Sequence, residues 1–71
     1  MNYIFLDNGF EEIEAITTID LLRRANIALT TISVTGQAMV TGAHDIIVKA
    51  DALFADADFS DAEMLILPGG A

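Results

Sequence analysis

Cysteine is absent from the 71 residues, so neither a disulfide nor a thiolate metal site can form within them. Tryptophan is absent too, proline occurs once, and the lone His44 makes no metal cluster by itself. Bases are scarce: three Lys and Arg stand against eleven Asp and Glu, for a formal net charge of −8. Nucleic-acid phosphates need Lys and Arg, so this balance argues against a nucleic-acid partner. No apolar run reaches the roughly 18 to 20 residues of a membrane span, because Asp7, Asp20, Arg23, Arg24 and Asp45 interrupt the pattern. Met1-Asn2 opens no basic signal-peptide region either. The expectation is a cytoplasmic chain with no membrane partner.

Apolar side chains are abundant, at 54% of residues with a mean hydropathy of +0.52. Domains usually run to about 100 to 150 residues, and a chain shorter than that buries apolar surface poorly. The excess implies that further polypeptide covers it. Near its end the chain passes from an apolar strand into Pro68-Gly69-Gly70, in the kind of loop where parallel α/β folds hold ligands. It therefore reads as the N-terminal part, residues 1–71, of a single larger domain.

Tyr3 to Leu6 is a continuous apolar run of the kind that forms a strand buried on both faces, and Asp7-Asn8-Gly9 ends it as a turn. Ile13, Ile16, Ile19, Leu22 and Ala25 keep roughly helical spacing, with Arg23 and Arg24 in the last turn where the helix dipole favours cations. Ile27 to Val34 is rich in β-branched residues and predicts a second strand. Gly36-Gln37 and Gly42-Ala43 bracket Ala38–Thr41 and Asp45–Lys49, which predicts a small hairpin or edge ribbon. Ala50 to Ser60 predicts loop or one short helical turn, and Met64 to Leu67 a third buried strand. Strands of this kind separated by a helix and a long connection predict an α/β fold, a mostly parallel sheet between helices.

The first βα turn carries one glycine and the acids Asp7, Glu11 and Glu12, without the glycine spacing of a dinucleotide fingerprint or a P-loop. Its carboxylates would repel phosphate. Acids in a first helical turn ordinarily offset the helix dipole, and Glu11, Glu12 and Glu14 all fit that role. Glu14, next to core-type Ile13 at the strand end of the helix, is also placed to lean over the carboxyl edge of the sheet. At the far end, Pro68 keeps Leu67 extended, and Gly69 and Gly70 let the backbone turn and bring bare N–H groups close to a reacting atom.

The strand YIFL, the segment GFEEIE, the run EAITTIDLLRRANI, the strand ALTTISV and the terminal LILPGG, in this order and spacing, resemble the N-terminal part of the ThiJ/PfpI family, notably its bacterial ThiJ-like and deglycase members. The resemblance implies a flavodoxin-like α/β sandwich, usually a homodimer, needing no cofactor. Its reactive group is a cysteine on a strained strand-to-helix elbow, often beside a histidine, and both would come from a C-terminal part of the same protein. The family glutamate matches Glu14, and the family's PGG backbone matches Gly69 and Gly70. The implied activity is glyoxalase or deglycase chemistry on a small aldehyde substrate or a glycated protein. Arg24 matches a family arginine that approaches the neighbouring subunit's pocket. His44 falls where some relatives carry arginine, and the hairpin around Ile46 and Val48 is a candidate for dimer contacts. A redox-sensing or chaperone-like protein of the same fold is the alternative, and a glutamine-amidotransferase-like domain a further one.

Overall fold

The computed structural model describes residues 1–70. Strands β1 (Asn2–Leu6), β2 (Leu29–Ser33), β5 (Ala52–Leu53) and β6 (Met64–Ile66) form one sheet in the order β5-β2-β1-β6. Every pairing in it is parallel. Strands β3 (Met39–Thr41) and β4 (Ile47–Lys49) form a separate antiparallel ribbon, and α1 (Glu12–Arg24) links β1 to β2. The fold class is the expected α/β one with a parallel sheet, and the predicted hairpin is this ribbon.

β1 lies inside the sheet, and the register sets Ile4 beside both Thr31 and Ile66. Ile4 and Leu6 are fully buried with Phe10, Ala15 and Val40, and Ile19, Leu29, Val48 and Ile66 pack around them. The helix and the ribbon thus cover the same face of the sheet. On the opposite face Tyr3, Phe5, Phe54 and Phe59 form an aromatic group, with Tyr3 and Phe59 meeting edge to face at 4.8 Å. The Tyr3 hydroxyl donates to Asp61 Oδ1 at 2.5 Å, and that bond to a carboxylate pushes its pKa up to about 12.

The helix rotates differently from the expectation. Ile13 is 76% exposed and Ile16 is exposed as well, whereas Ala15 is fully buried and Glu12 nearly so. The inward stripe is Glu12 and Ala15, buried, with Ile19 and Leu22 half-buried, a closer match to 3.6 residues per turn than the threefold spacing of the isoleucines. Asn26, at φ 60°, ends the helix. Its N–H donates to Arg23 O and the Ile27 N–H to Leu22 O, the paired bonds of a Schellman cap.

Two further expectations are corrected. Within Ala50–Ser60 the expected short helical turn is the 3-10 turn Phe54–Asp56, and the correction is the short strand β5 beside it, which the loop reading lacked. A side-chain clip seats β5: Asp51 Oδ2 accepts the Thr31 N–H and Arg23, while the Asp51 N–H donates to Thr31 Oγ1. β6 is not a buried strand among the described residues. It pairs only with β1, leaving Leu65 57% and Leu67 79% exposed.

Candidate functional site

From β1 the chain moves outward to β2 and β5 on one side, then crosses back to place β6 on the other side of β1. This reversal opens a crevice beyond the carboxyl ends of β1 and β6, where open α/β sheets bind ligands. The loops after the two strands meet there. Phe10 and Gly70 form an antiparallel bridge, and the Glu11 N–H donates to Gly69 O at 2.8 Å. Between them is a cleft of about 420 Å³ with apolar walls from Phe5, Phe10, Val34, Phe54 and Leu67, and with Asp7 and the Pro68–Gly70 loop at its rim.

Glu14 stands two residues past the buried Glu12 on the first turn of α1. Its Oε1 accepts the Gly69 N–H at 2.7 Å, and a Cβ on Gly69 would collide with that oxygen. The helix and the loop after β6 thus bring Glu14, Gly69 and Gly70 together, as the sequence placed them. The two amides differ, however. The Gly69 N–H is taken by Glu14, while the Gly70 N–H finds no acceptor among the described residues.

Arg24 and His44 are not brought to the cleft. Arg24 lies at the opposite end of α1 and forms an exposed i,i+4 ion pair with Asp20 at 2.9 Å. His44 lies in the turn between β3 and β4, with Nδ1 2.8 Å from Glu12 Oε1 and 3.8 Å from Glu11 Oε1. Of the ribbon residues read as contact candidates, Ile46 is exposed but Val48 packs on the core.

Sequence reasoning missed the part played by Glu12. Its Oε2 accepts the backbone N–H of His44 at 2.6 Å and of Ile46 at 3.4 Å. Glu11, Glu12 and His44 place possible ligand atoms within 4.8 Å of one another, but both Glu12 oxygens already have N–H partners and the helix N-terminus disfavours a cation. The arrangement is an ion pair that ties a turn to a helix. No signal along the chain marked it, since Glu12 reads as one more acid in a first helical turn.

Burial pushes the Glu12 carboxyl up, but the His44 ring and the amides of His44, Glu12 and Ile46 outweigh it and hold the group at about 2, below its ordinary 4.5. The Glu12 carboxylate raises His44 above 6.5, first by the hydrogen bond and then by charge, with Glu11 and Asp45 adding to it against burial. The lowered acid stabilises the fold above about 4.5, and this contribution is lost as pH falls toward 2. The raised histidine contributes fully below 6.5 and is lost as pH rises through its folded value. The pair therefore stabilises most between pH 4.5 and 6.5. Urea midpoints measured across pH 3 to 9 should show His44→Gln losing stability chiefly in that window; equal losses at pH 5.5 and pH 9 would contradict the assignment.

A parallel α/β sheet whose switch-point crevice joins a helix-borne glutamate to a Gly-Gly loop defines a narrow class. The family model described as the DJ-1/PfpI family matches residues 2–71, and the chain belongs to that family. It is 40% identical over 63 residues to Protein DJ-1 homolog B of Arabidopsis thaliana, covering 89% of this chain and 14% of the relative. Among solved structures, oxidized DJ-1 of Toxoplasma gondii superposes with a TM-score of 0.92 at 32% identity, covering 97% of this chain and 38% of that one. A cysteine-to-alanine mutant of a DJ-1 superfamily protein from Salmonella typhimurium gives 0.91 at 36% identity, covering 97% and 37%. The chain thus spans well under half the length of each of these relatives.

Proposed function

We propose that these residues are the N-terminal part of a single ThiJ/PfpI-type domain whose whole protein uses a cysteine to convert reactive aldehydes or early glycation adducts. The observation that carries this reading is the Glu14–Gly69 contact, which fixes a carboxyl group at the mouth of the switch-point crevice. The C-terminal part of the protein would cover the apolar walls of the cleft and present the thiol there. A cysteine with pKa near 8.5 in isolation becomes a better nucleophile when nearby donors stabilise its thiolate.

With a 2-oxoaldehyde, the thiolate adds to the aldehyde carbon, a C–S bond forms, and the carbonyl electron pair moves to oxygen. The Gly70 N–H is available to stabilise that oxyanion. The oxygen takes up a proton relayed from solvent by Glu14 and yields a hemithioacetal. Glu14 then takes the proton from the former aldehyde carbon and returns it to the neighbouring carbon, while the hydroxyl proton passes to the oxygen on that neighbouring carbon, which leaves a thioester. Water releases the 2-hydroxy acid and the thiol, so the sum is aldehyde plus water with no external oxidant. We place the enzyme in the cytoplasm as a homodimer, with Arg24 and the exposed Ile46 available to a second subunit, and with no cofactor.

The test is lactate formation from methylglyoxal, without glutathione, by the protein carrying the sequence that follows residue 71. Steady turnover is expected. A protein that forms no lactate but oxidises at one cysteine would favour the redox-sensing reading, which the oxidized form of the Toxoplasma gondii relative makes the natural second choice.

A further inference from the structure

Three backbone segments lie side by side at the carboxyl edge of the sheet. The outer one is the turn between β3 and β4, and it is bonded to the loop after β1. Thr41 O accepts the Gly9 N–H at 2.8 Å, the Thr41 N–H donates to Asn8 Oδ1 at 3.0 Å, and the Ala43 N–H donates to Phe10 O at 2.9 Å. On its other edge the same loop carries Gly69 and Gly70, through the Phe10 bridge and the Glu11 N–H. Phe10 and Glu11 are thus the middle of a small raft.

Glu12 follows directly on that middle segment, and its buried side chain reaches the outer one, gripping the amides of His44 and Ile46 and the His44 ring. Gly42 makes room for the grip, since a Cβ there would overlap the Glu12 carboxylate. Asp45, at φ 65°, closes the turn in a left-handed conformation that an isolated loop would seldom hold. The carboxylate therefore fixes one side of the segment whose other side carries Gly69.

We propose that Glu12 and His44 are positioning residues for the Glu14–Gly69 contact, holding the turn at residues 42–46 so that Phe10 and Glu11 offer a fixed ledge to Gly69 and Gly70. Its meaning for catalysis rests on the function proposed above. The groups facing the His44 ring are Glu12, Glu11 and Asp45, so the grip is tightest when the ring is charged. His44 is the place to probe it, because its side chain is 69% exposed and its replacement leaves the core intact.

The experiment is amide hydrogen exchange, followed by NMR at pH 6, on the protein carrying its full sequence. His44→Gln keeps the backbone donor to Glu12 and removes the charged ring; Gly69 exchange should quicken about tenfold, and more in Glu12→Gln, since bonds to charged groups are the stronger kind. His44→Arg, which restores a cation, should return Gly69 to within about threefold of wild type and make its protection relative to the intrinsic exchange rate independent of pH between 6 and 8. Asp20→Asn, at the other end of α1, should leave Gly69 unchanged. In turnover, His44→Gln should lower kcat with KM kept. Faster exchange at Ala43 with Gly69 unchanged in His44→Gln would overturn the inference, and this holds even if Glu12→Gln fails to fold. Absence of methylglyoxal turnover in the wild type would remove the functional reading and leave the exchange comparison standing.

Discussion

Glu14→Gln should lower kcat/KM for methylglyoxal by about 10²- to 10⁴-fold, the range that a positioned proton donor and acceptor contributes. The substitution separates two roles of one side chain. A glutamine carbonyl can still accept the Gly69 N–H that Glu14 Oε1 accepts at 2.7 Å, so the loop after β6 keeps its anchor. What is lost is the capacity to carry a proton between the oxygen and carbon of the bound substrate. Thermal unfolding of the variant should therefore match the wild type while turnover collapses. Glu14→Ala removes the anchor as well and should cost both. Turnover by Glu14→Gln within about threefold of wild type would show that the carboxyl group positions the loop and moves no proton.

The residues that were legible from sequence share one property: their neighbours along the chain decide their environment. Tyr3 to Leu6 declares a buried strand because four successive apolar residues in a parallel sheet need cover on both faces. Glu14 and Gly69 were legible because each sits one turn or one loop beyond such a strand, and the switch point at β1 and β6 brings those positions together. The features that escaped depend on contacts between distant segments. Glu12 looks like any acid in a first helical turn until the turn at residues 42–46, more than thirty residues away, supplies its donors. β5 is two residues long and carries no periodicity; the Asp51–Thr31 clip across twenty residues seats it. Ile13 misled because its spacing to Ile16 and Ile19 imitates a buried stripe, while Ala15 lets the helix come close to the sheet. Exposure of Leu65 and Leu67 has a different origin: nothing among the described residues lies over them, and strand hydrophobicity says only that something should.

Gly70→Ala should destabilise these residues by about 3 kcal/mol or more, because backbone strain and overpacking each contribute about 1 to 3. Gly70 has φ +102°, outside the conformations that side chains on L-residues readily adopt. A Cβ there would also stand 2.5 Å from Gly9 O, 2.6 Å from Glu11 N and 2.9 Å from Phe10 C. All three atoms are backbone in the segment that carries the Glu12 grip on one side and the Phe10–Gly70 bridge on the other, so none can swing aside. Two other glycines isolate the contributions. Gly36→Ala meets the same strain at φ +90° but opens onto free space, so its cost is the strain alone. Gly69→Ala would strike the carboxyl end of Glu14, a side chain free to rotate away, so it avoids the backbone clash but loses the Glu14 anchor, and should cost about as much stability as Glu14→Ala together with much turnover. Urea unfolding of the three variants should rank Gly70→Ala well below the others in midpoint. A Gly70→Ala midpoint equal to that of Gly36→Ala would mean that the loop after β6 yields, and that the ledge at Phe10 and Glu11 is not fixed.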